Sequence, residues 1–224
     1  ELHNMKHMSI LAVSLLALVA CTPEKKQEAD YSQYVNPMIG TDFTGNTYPG
    51  AQVPFGMVQL SPDNGLPGWD RISGYFYPDT TIAGFSHTHL SGTGAGDLYD
   101  ISFMPVTRPY KEAPAPLGIY STFSHNDEAA SAGYYRVLLK DYNINVELTA
   151  TERCGIQRYT FPEAEASVFL NLKKAMNWDF TLDSKIEVVD STTIRGYRLS
   201  QGWSPLQHVY FETRFSKPFV ACHM

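Results

Sequence analysis

His87 and His89 are separated by a single residue, so on an extended strand both imidazoles project from one face. Such a pair can ligate a metal, relay protons or hydrogen-bond to hydroxyl groups. No third His, Cys or carboxylate stands beside them at a standard metal spacing, and Asp97 lies across a flexible loop. That loop, Ser91-Gly92-Thr93-Gly94-Ala95-Gly96-Asp97, is small and polar, and its glycines let the backbone come close to a ligand or to another domain. It has neither the lysine nor the following helix of a phosphate loop, which argues against nucleotide binding. Upstream, Trp69 and Asp70 combine an indole face, suited to the C–H side of a pyranose, with a carboxylate that accepts from hydroxyls. The candidate substrate-binding residues are therefore Trp69, Asp70, His87, His89, Thr93 and Asp97. The two histidines fit a supporting role beneath the loop as well as a ligand-facing one. No catalytic residue and no metal ligand is assigned.

The elements that must position these groups read as strands and turns. Ile144, Val146 and Leu148 alternate with Asn145, Glu147 and Thr149, while Val209, Phe211 and Phe215 alternate with His208, Tyr210, Glu212 and Arg214. A period of two predicts strands with one buried face. Residues 167–172, 185–189 and 192–199 predict further strands, with turns at Asp190 and Gly202. No stretch keeps a long helical period. Pro-Gly, Asp-Asn-Gly and Gly-Thr-Gly clusters punctuate the first half, so irregular loops should concentrate between Asn36 and Asp100. The expected architecture is all-β, an antiparallel β-sandwich with few short helices.

Composition agrees. Hydrophobic residues make up 43% and charged residues 18%, a globular balance, and the 14 Tyr and 12 Phe favour strands. A net charge of −6, without a basic run longer than Lys25-Lys26, argues against nucleic acid as a partner. The three cysteines, Cys21, Cys154 and Cys222, show no metal-ligand spacing, and Cys154 and Cys222 are expected to be unpaired, small hydrophobes.

The first residues read as an address. Lys6 and His7 precede an uncharged apolar run from Ser9 to Ala20, too short for a permanent membrane helix but suited to a signal peptide. It closes on Leu18-Val19-Ala20-Cys21, which has the form of a bacterial lipobox, with Cys21 as the lipidation site. Residues 1–20 are thus expected to be a lipoprotein signal peptide, residues 21–33 a polar tether and residues 34–224 the folded domain. The expected location is exported and lipid-anchored to the bacterial outer membrane, facing the periplasm or the exterior.

Several longer stretches carry a family resemblance: VNPMIGT, YPGAQVPFGMVQLSPD, SGYFYPDTTIAGFSHTHLSGTGAGD, ELTATERCGIQRYTFP and WSPLQHVYFETRFSKPF. In this order they resemble the N-terminal domain of glycoside hydrolase family 92, the calcium-dependent exo-α-mannosidases, over roughly Tyr34 to Phe219. The resemblance implies a galactose-mutarotase-like supersandwich that packs on a C-terminal catalytic (α/α)6 barrel, which this sequence does not contain. It implies hydrolysis of α-mannosides in mannose-rich glycans with inversion, by a glutamic acid as general acid and an aspartate as general base. It implies Ca2+ on the mannose hydroxyls for the full-length enzyme. The acid, the base and most of the calcium site are expected in the barrel, so this chain alone is expected to be inactive and to bind no metal of its own. Its expected part is one wall of the mannose pocket. A stand-alone surface glycan-binding lipoprotein is the alternative.

Overall fold

The computed structural model describes residues 29–92, 94–114, 117–163, 165–175 and 178–223. The chain divides into two compact units, Glu1–Tyr31 and Ser32–Met224. The signal segment, Cys21, most of the tether and Thr93 lie outside the described residues.

Every described strand belongs to the second unit. Its first half holds β1 (Ser61–Asp63), β2 (Thr81–Ile82), β3 (Gly84–Ser86), β4 (Ser102–Thr107), β5 (Glu112–Ala113), β6 (Gly118–Ile119) and β7 (Ser121–Thr122). The second half holds β8 (Glu128–Ser131), β9 (Tyr134–Leu139), β10 (Ile144–Ala150), β11 (Gly155–Thr160), β12 (Ala166–Asn171), β13 (Phe180–Val188), β14 (Thr193–Gln201) and β15 (Gln207–Arg214). Only short 3-10 turns accompany them among the described residues, at Ser32–Tyr34, Trp69–Arg71 and His125–Asp127. The long loops fall between Asn36 and Asp100, where the turn-forming residues cluster.

Three antiparallel sheets build the body, in the orders β1-β3-β4-β12, β11-β10-β9-β8 and β13-β14-β15. In β10, Ile144, Val146, Leu148 and Ala150 are buried, and the residues between them are exposed or half-buried. These inward side chains join Tyr135, Val137 and Leu139 of β9 in a core completed by Leu60, Phe85, Met104 and Val106. A second core gathers Ile101, Phe103 and Leu172 with Ile186, Val209 and Phe211 of the third sheet. Strand β4 feeds both, Met104 and Val106 on one side and Phe103 on the other, and all six of its residues are buried. A strand covered on both faces loses the alternation that marks a half-exposed one. Strand β15 keeps it, with His208, Tyr210, Glu212 and Arg214 exposed and Val209 and Phe211 turned inward. Cys154 and Cys222 are unpaired, but both stand at the surface rather than among the hydrophobes.

Candidate functional site

Strands β1 and β3 pair with Ser61 opposite Ser86 and Asp63 opposite Gly84. Alternation then sends Asp63 and Ser86 to one face, where Ser86 Oγ donates to Asp63 Oδ1 at 3.1 Å. The loop after β3 turns His89 into the same buried spot. Its Nε2 lies 2.9 Å from Asp63 Oδ1 and 3.1 Å from Ser86 Oγ. Its Nδ1 donates to the Gln59 carbonyl at 2.7 Å. Lys174, from the segment after β12, completes the cluster with Nζ 3.3 Å from Asp63 Oδ2 and 3.1 Å from the Ala83 carbonyl oxygen. Burial pushes the Asp63 carboxyl up, but Lys174 and His89 outweigh it and hold it below the ordinary carboxylate range. Burial lowers the Lys174 ammonium. Ser86, His89 and Asp63 are the residue types of a nucleophilic triad. They do not work as one, because all three are buried, the carboxylate meets Nε2 and the backbone holds Nδ1.

His87 is placed differently. Its Nδ1 donates to the Ile101 carbonyl at 2.8 Å, and its ring meets Phe103 edge-on. Burial lowers its pKa. Thr88, between the two histidines, donates to Asp100 Oδ2 at 2.7 Å and accepts from the Asp100 amide at 2.9 Å.

Asp97 is buried, and its carboxylate receives three protein donors. They are its neighbour Leu98 N at 2.7 Å, Trp203 N at 2.8 Å and Gln207 Nε2 at 2.8 Å. The chain beyond it is strained: Leu98, Tyr99 and Ile101 take left-handed backbone with φ of 84°, 60° and 56°. Such residues persist where their surroundings over-determine them, at about 1–3 kcal/mol each. Here Arg198 of β14 supplies that determination. Wholly buried, it donates to the Leu98 carbonyl at 3.3 Å, to Asp100 Oδ1 at 2.7 Å and to Asp179 Oδ2 at 2.8 Å.

Trp69 and Asp70 ride on the 3-10 turn Trp69–Arg71, with Trp69 52% exposed. The turn is pinned by Arg71, whose Nε donates to Asp79 Oδ2 at 2.6 Å, with a second bond from NH2 to Oδ1 at 2.5 Å. Its far end, at Ile72, accepts the Tyr99 hydroxyl, which ties it to the strained run. Asp63, Asp97 and Asp100 are buried, whereas Asp70 reaches solvent.

The structure thus brings His89 to Asp63 and Ser86, and Asp97 to Trp203. It leaves Trp69 and Asp70 on a neighbouring turn, joined to the histidine loop through Tyr99. Lys174, Arg198 and Trp203 were not singled out by sequence reasoning. For the first two the sequence offers only cations inside a strand-rich segment, Lys174 beside Lys173 and Arg198 three residues after Arg195. For Trp203 the signal is an aromatic inside a Gly-Trp-Ser-Pro turn. Among the described residues no group of three or more His, Cys, Asp or Glu is arranged to hold a metal ion. Each buried aspartate around these loops already bonds a protein donor or cation, so this set does not fit as calcium ligands.

The sequence matches the glycosyl hydrolase family 92 N-terminal domain over residues 34–224. The fold superposes with a TM-score of 0.80 on a family 92 α-mannosidase from Bacteroides thetaiotaomicron, solved alone and with mannoimidazole, at 43% identity over 84% of this chain and 26% of that one. It also resembles a second family 92 glycosyl hydrolase, at TM-score 0.67, 27% identity, 82% of this chain and 26% of that one. An uncharacterized secreted glycosidase of Arthroderma benhamiae is 26% identical over 172 residues, 72% of this chain and 21% of that protein. The chain spans about a quarter of the length of these relatives.

Proposed function

This chain belongs to the glycosyl hydrolase family 92 N-terminal domains, and from that premise we propose that it serves an exported α-mannosidase by forming one wall of the mannoside pocket. The observation that supports this reading most directly is Trp69, exposed beside the solvent-reaching Asp70 on a turn held rigid by Arg71 and Asp79. An exposed indole beside a solvent-reaching carboxylate, both carried on a braced turn, matches the two sides of a hexopyranose, apolar C–H groups and hydroxyls. Asp97, His89 and Asp63 hold the loops behind that wall. The acid, the base and the calcium ion of the inverting reaction are assigned to no residue of this chain, and catalysis belongs to a barrel domain packed against it.

Two experiments test the reading. Sequencing the gene beyond codon 224 decides between a domain and a stand-alone glycan binder: a frame continuing into a helical-repeat barrel supports the first, and an immediate stop the second. Binding is then measured with methyl α-mannoside on the longest product of that gene. Trp69→Ala and Asp70→Ala should each weaken it, and unchanged affinity in both sinks the proposed wall. The export reading rests on Leu18-Val19-Ala20-Cys21. Cells fed labelled palmitate should label the unaltered protein and not Cys21→Ser; an unlabelled parent protein refutes lipid anchoring.

A further inference from the structure

Glu128 opens β8 at the edge of the second sheet, and its side chain is only 2% exposed. Three side chains converge on it. The Tyr75 hydroxyl lies 3.0 Å from Oε1 and 2.9 Å from Oε2, and the Tyr135 hydroxyl donates to Oε1 at 2.5 Å. His125, on the 3-10 turn just before β8, places Nδ1 2.7 Å from Oε2. Both tyrosines are wholly buried. Burial, and after it the Glu128 charge, pushes their hydroxyls up, so they remain donors. A buried carboxylate is stable only while such partners surround it.

Two of these partners lead to one stretch of chain, residues 75–79. Tyr75 begins it. His125 reaches it from outside, with Nε2 2.7 Å from the Tyr77 carbonyl oxygen and its ring stacked on the Tyr77 ring, centroids 3.9 Å apart. A carbonyl only accepts, which puts a hydrogen on Nε2. The stretch closes as a turn, the Asp79 amide donating to the Phe76 carbonyl at 3.0 Å. Arg71 grips that turn at two points: it forks onto Asp79, and its guanidinium sits 4.7 Å from the centre of the Phe76 ring. The brace beneath the Trp69–Arg71 turn is thus itself fastened to Glu128. Two main-chain amides fasten it as well, Phe76 N to Asn64 Oδ1 at 2.5 Å and Tyr77 N to the Thr41 carbonyl at 2.8 Å, so losing Glu128 loosens the stretch without freeing it.

We propose that Glu128 is a positioning residue for the turn that carries Trp69 and Asp70, acting through Tyr75, His125 and the Arg71–Asp79 fork. Its consequence for sugar binding rests on the mannoside wall proposed above; the run of bonds does not. In the 15N-labelled protein, the Arg71 Nε–H cross-peak reads the fork, and the amides of Trp69, Asp70 and Arg71 read the turn. Glu128→Ala should move these cross-peaks before any sugar is added. It should also weaken binding of methyl α-D-mannopyranoside about two- to tenfold, the range for a side chain that must be ordered again on binding. Glu128→Gln should recover most of both, because its amide oxygen accepts from the tyrosines and its NH2 donates to Nδ1 of a neutral His125. Tyr135→Phe controls for a purely structural role. It takes from Glu128 a donor that does not lead to residues 75–79, so it should lower the urea midpoint and leave the cross-peaks in place. Where Glu128→Ala does not fold, Tyr75→Phe combined with His125→Ala cuts the same two links and is judged by the same cross-peaks. Unmoved Arg71 and turn signals overturn the proposal. So does equal movement in Tyr135→Phe, or unchanged affinity in Glu128→Ala when the parent protein binds. A parent that binds no mannoside, with turn signals that still move in Glu128→Ala, supports the positioning and removes the mannoside wall.

Discussion

Nε2 of His89 lies 2.9 Å from Oδ1 of Asp63, and neither side chain is exposed to solvent. With Lys174 on the other carboxylate oxygen, Asp63 joins β1, the loop after β3 and the segment after β12. Removing its charge leaves the Lys174 ammonium buried without its counter-ion. Asp63→Asn should cost roughly 3–5 kcal/mol, as for other broken buried pairs, measured by urea unfolding at neutral pH. The pH dependence follows in sign. The folded-state pKa is depressed below the ordinary 3.8, so the stabilisation is complete above that value and is lost as pH falls through it toward the folded-state value. The acid limb of the stability curve below about pH 4 should be shallower in Asp63→Asn. A loss under about 1 kcal/mol would remove the cluster from the list of loop fastenings.

His87 gives a second, separate pH window. Burial lowers its pKa from the ordinary 6.5, so the folded state resists a proton that the unfolded chain accepts. Its contribution is full above pH 6.5 and is lost as pH falls from there through the folded-state value. His87→Asn keeps a donor for the Ile101 carbonyl but does not titrate. Stability of this variant should stay flat where that of the parent begins to decline on acidification, read from urea midpoints across pH 7 to about pH 5. Parallel curves for the two proteins would contradict it.

The strands at 144–150 and 207–214 were legible because each buries one face, and burial imposes a period of two. Strand β4 was not, because Ser102–Thr107 lies between two cores and every position is buried. The loop segment was legible as a place rather than as an arrangement. Spacing located His87, His89 and Asp97, yet their partners come from far along the chain: Gln207 and Trp203 for Asp97, and Lys174 beyond Asp63. Two histidines of one motif also part company. One meets a carboxylate and the other a backbone carbonyl and a phenyl edge, a difference made by tertiary contacts that spacing does not carry.

Gly202 should tolerate no side chain. Its backbone is not in the left-handed region; the constraint is contact with Asp97, at 2.5 Å from an added Cβ. Gly202→Ala must displace either the Asp97 carboxylate or the hairpin tip, at roughly 1–3 kcal/mol for a forced fit. The displacement should also show as a changed Trp203 fluorescence maximum. Wild-type stability and emission together would mean that the turn is looser than its hydrogen bonds imply.

Arg198 offers the most searching test of how the loop is held, because the guanidinium has every N–H engaged. Nε donates to the Leu172 carbonyl at 3.1 Å and to Thr181 Oγ1 at 3.0 Å, and NH2 donates to the Lys174 carbonyl at 3.0 Å as well as to Asp179. NH1 reaches Leu98 and Asp100. Lysine keeps the charge but has no planar fork, so Arg198→Lys leaves several carbonyls and one carboxylate without donors. The expected cost is about 3 kcal/mol or more, and Arg198→Met, with two buried aspartates left uncompensated, should lose still more. The triple change Arg198→Met, Asp100→Asn and Asp179→Asn separates charge from shape, since it removes the stranded charges along with the cation. It should recover a good part of the stability lost in Arg198→Met while leaving the strained Leu98–Ile101 run more open to amide hydrogen exchange. If the triple variant is no more stable than Arg198→Met, the guanidinium acts by packing β14 against the second core, and the ion pairs with Asp100 and Asp179 are incidental to it.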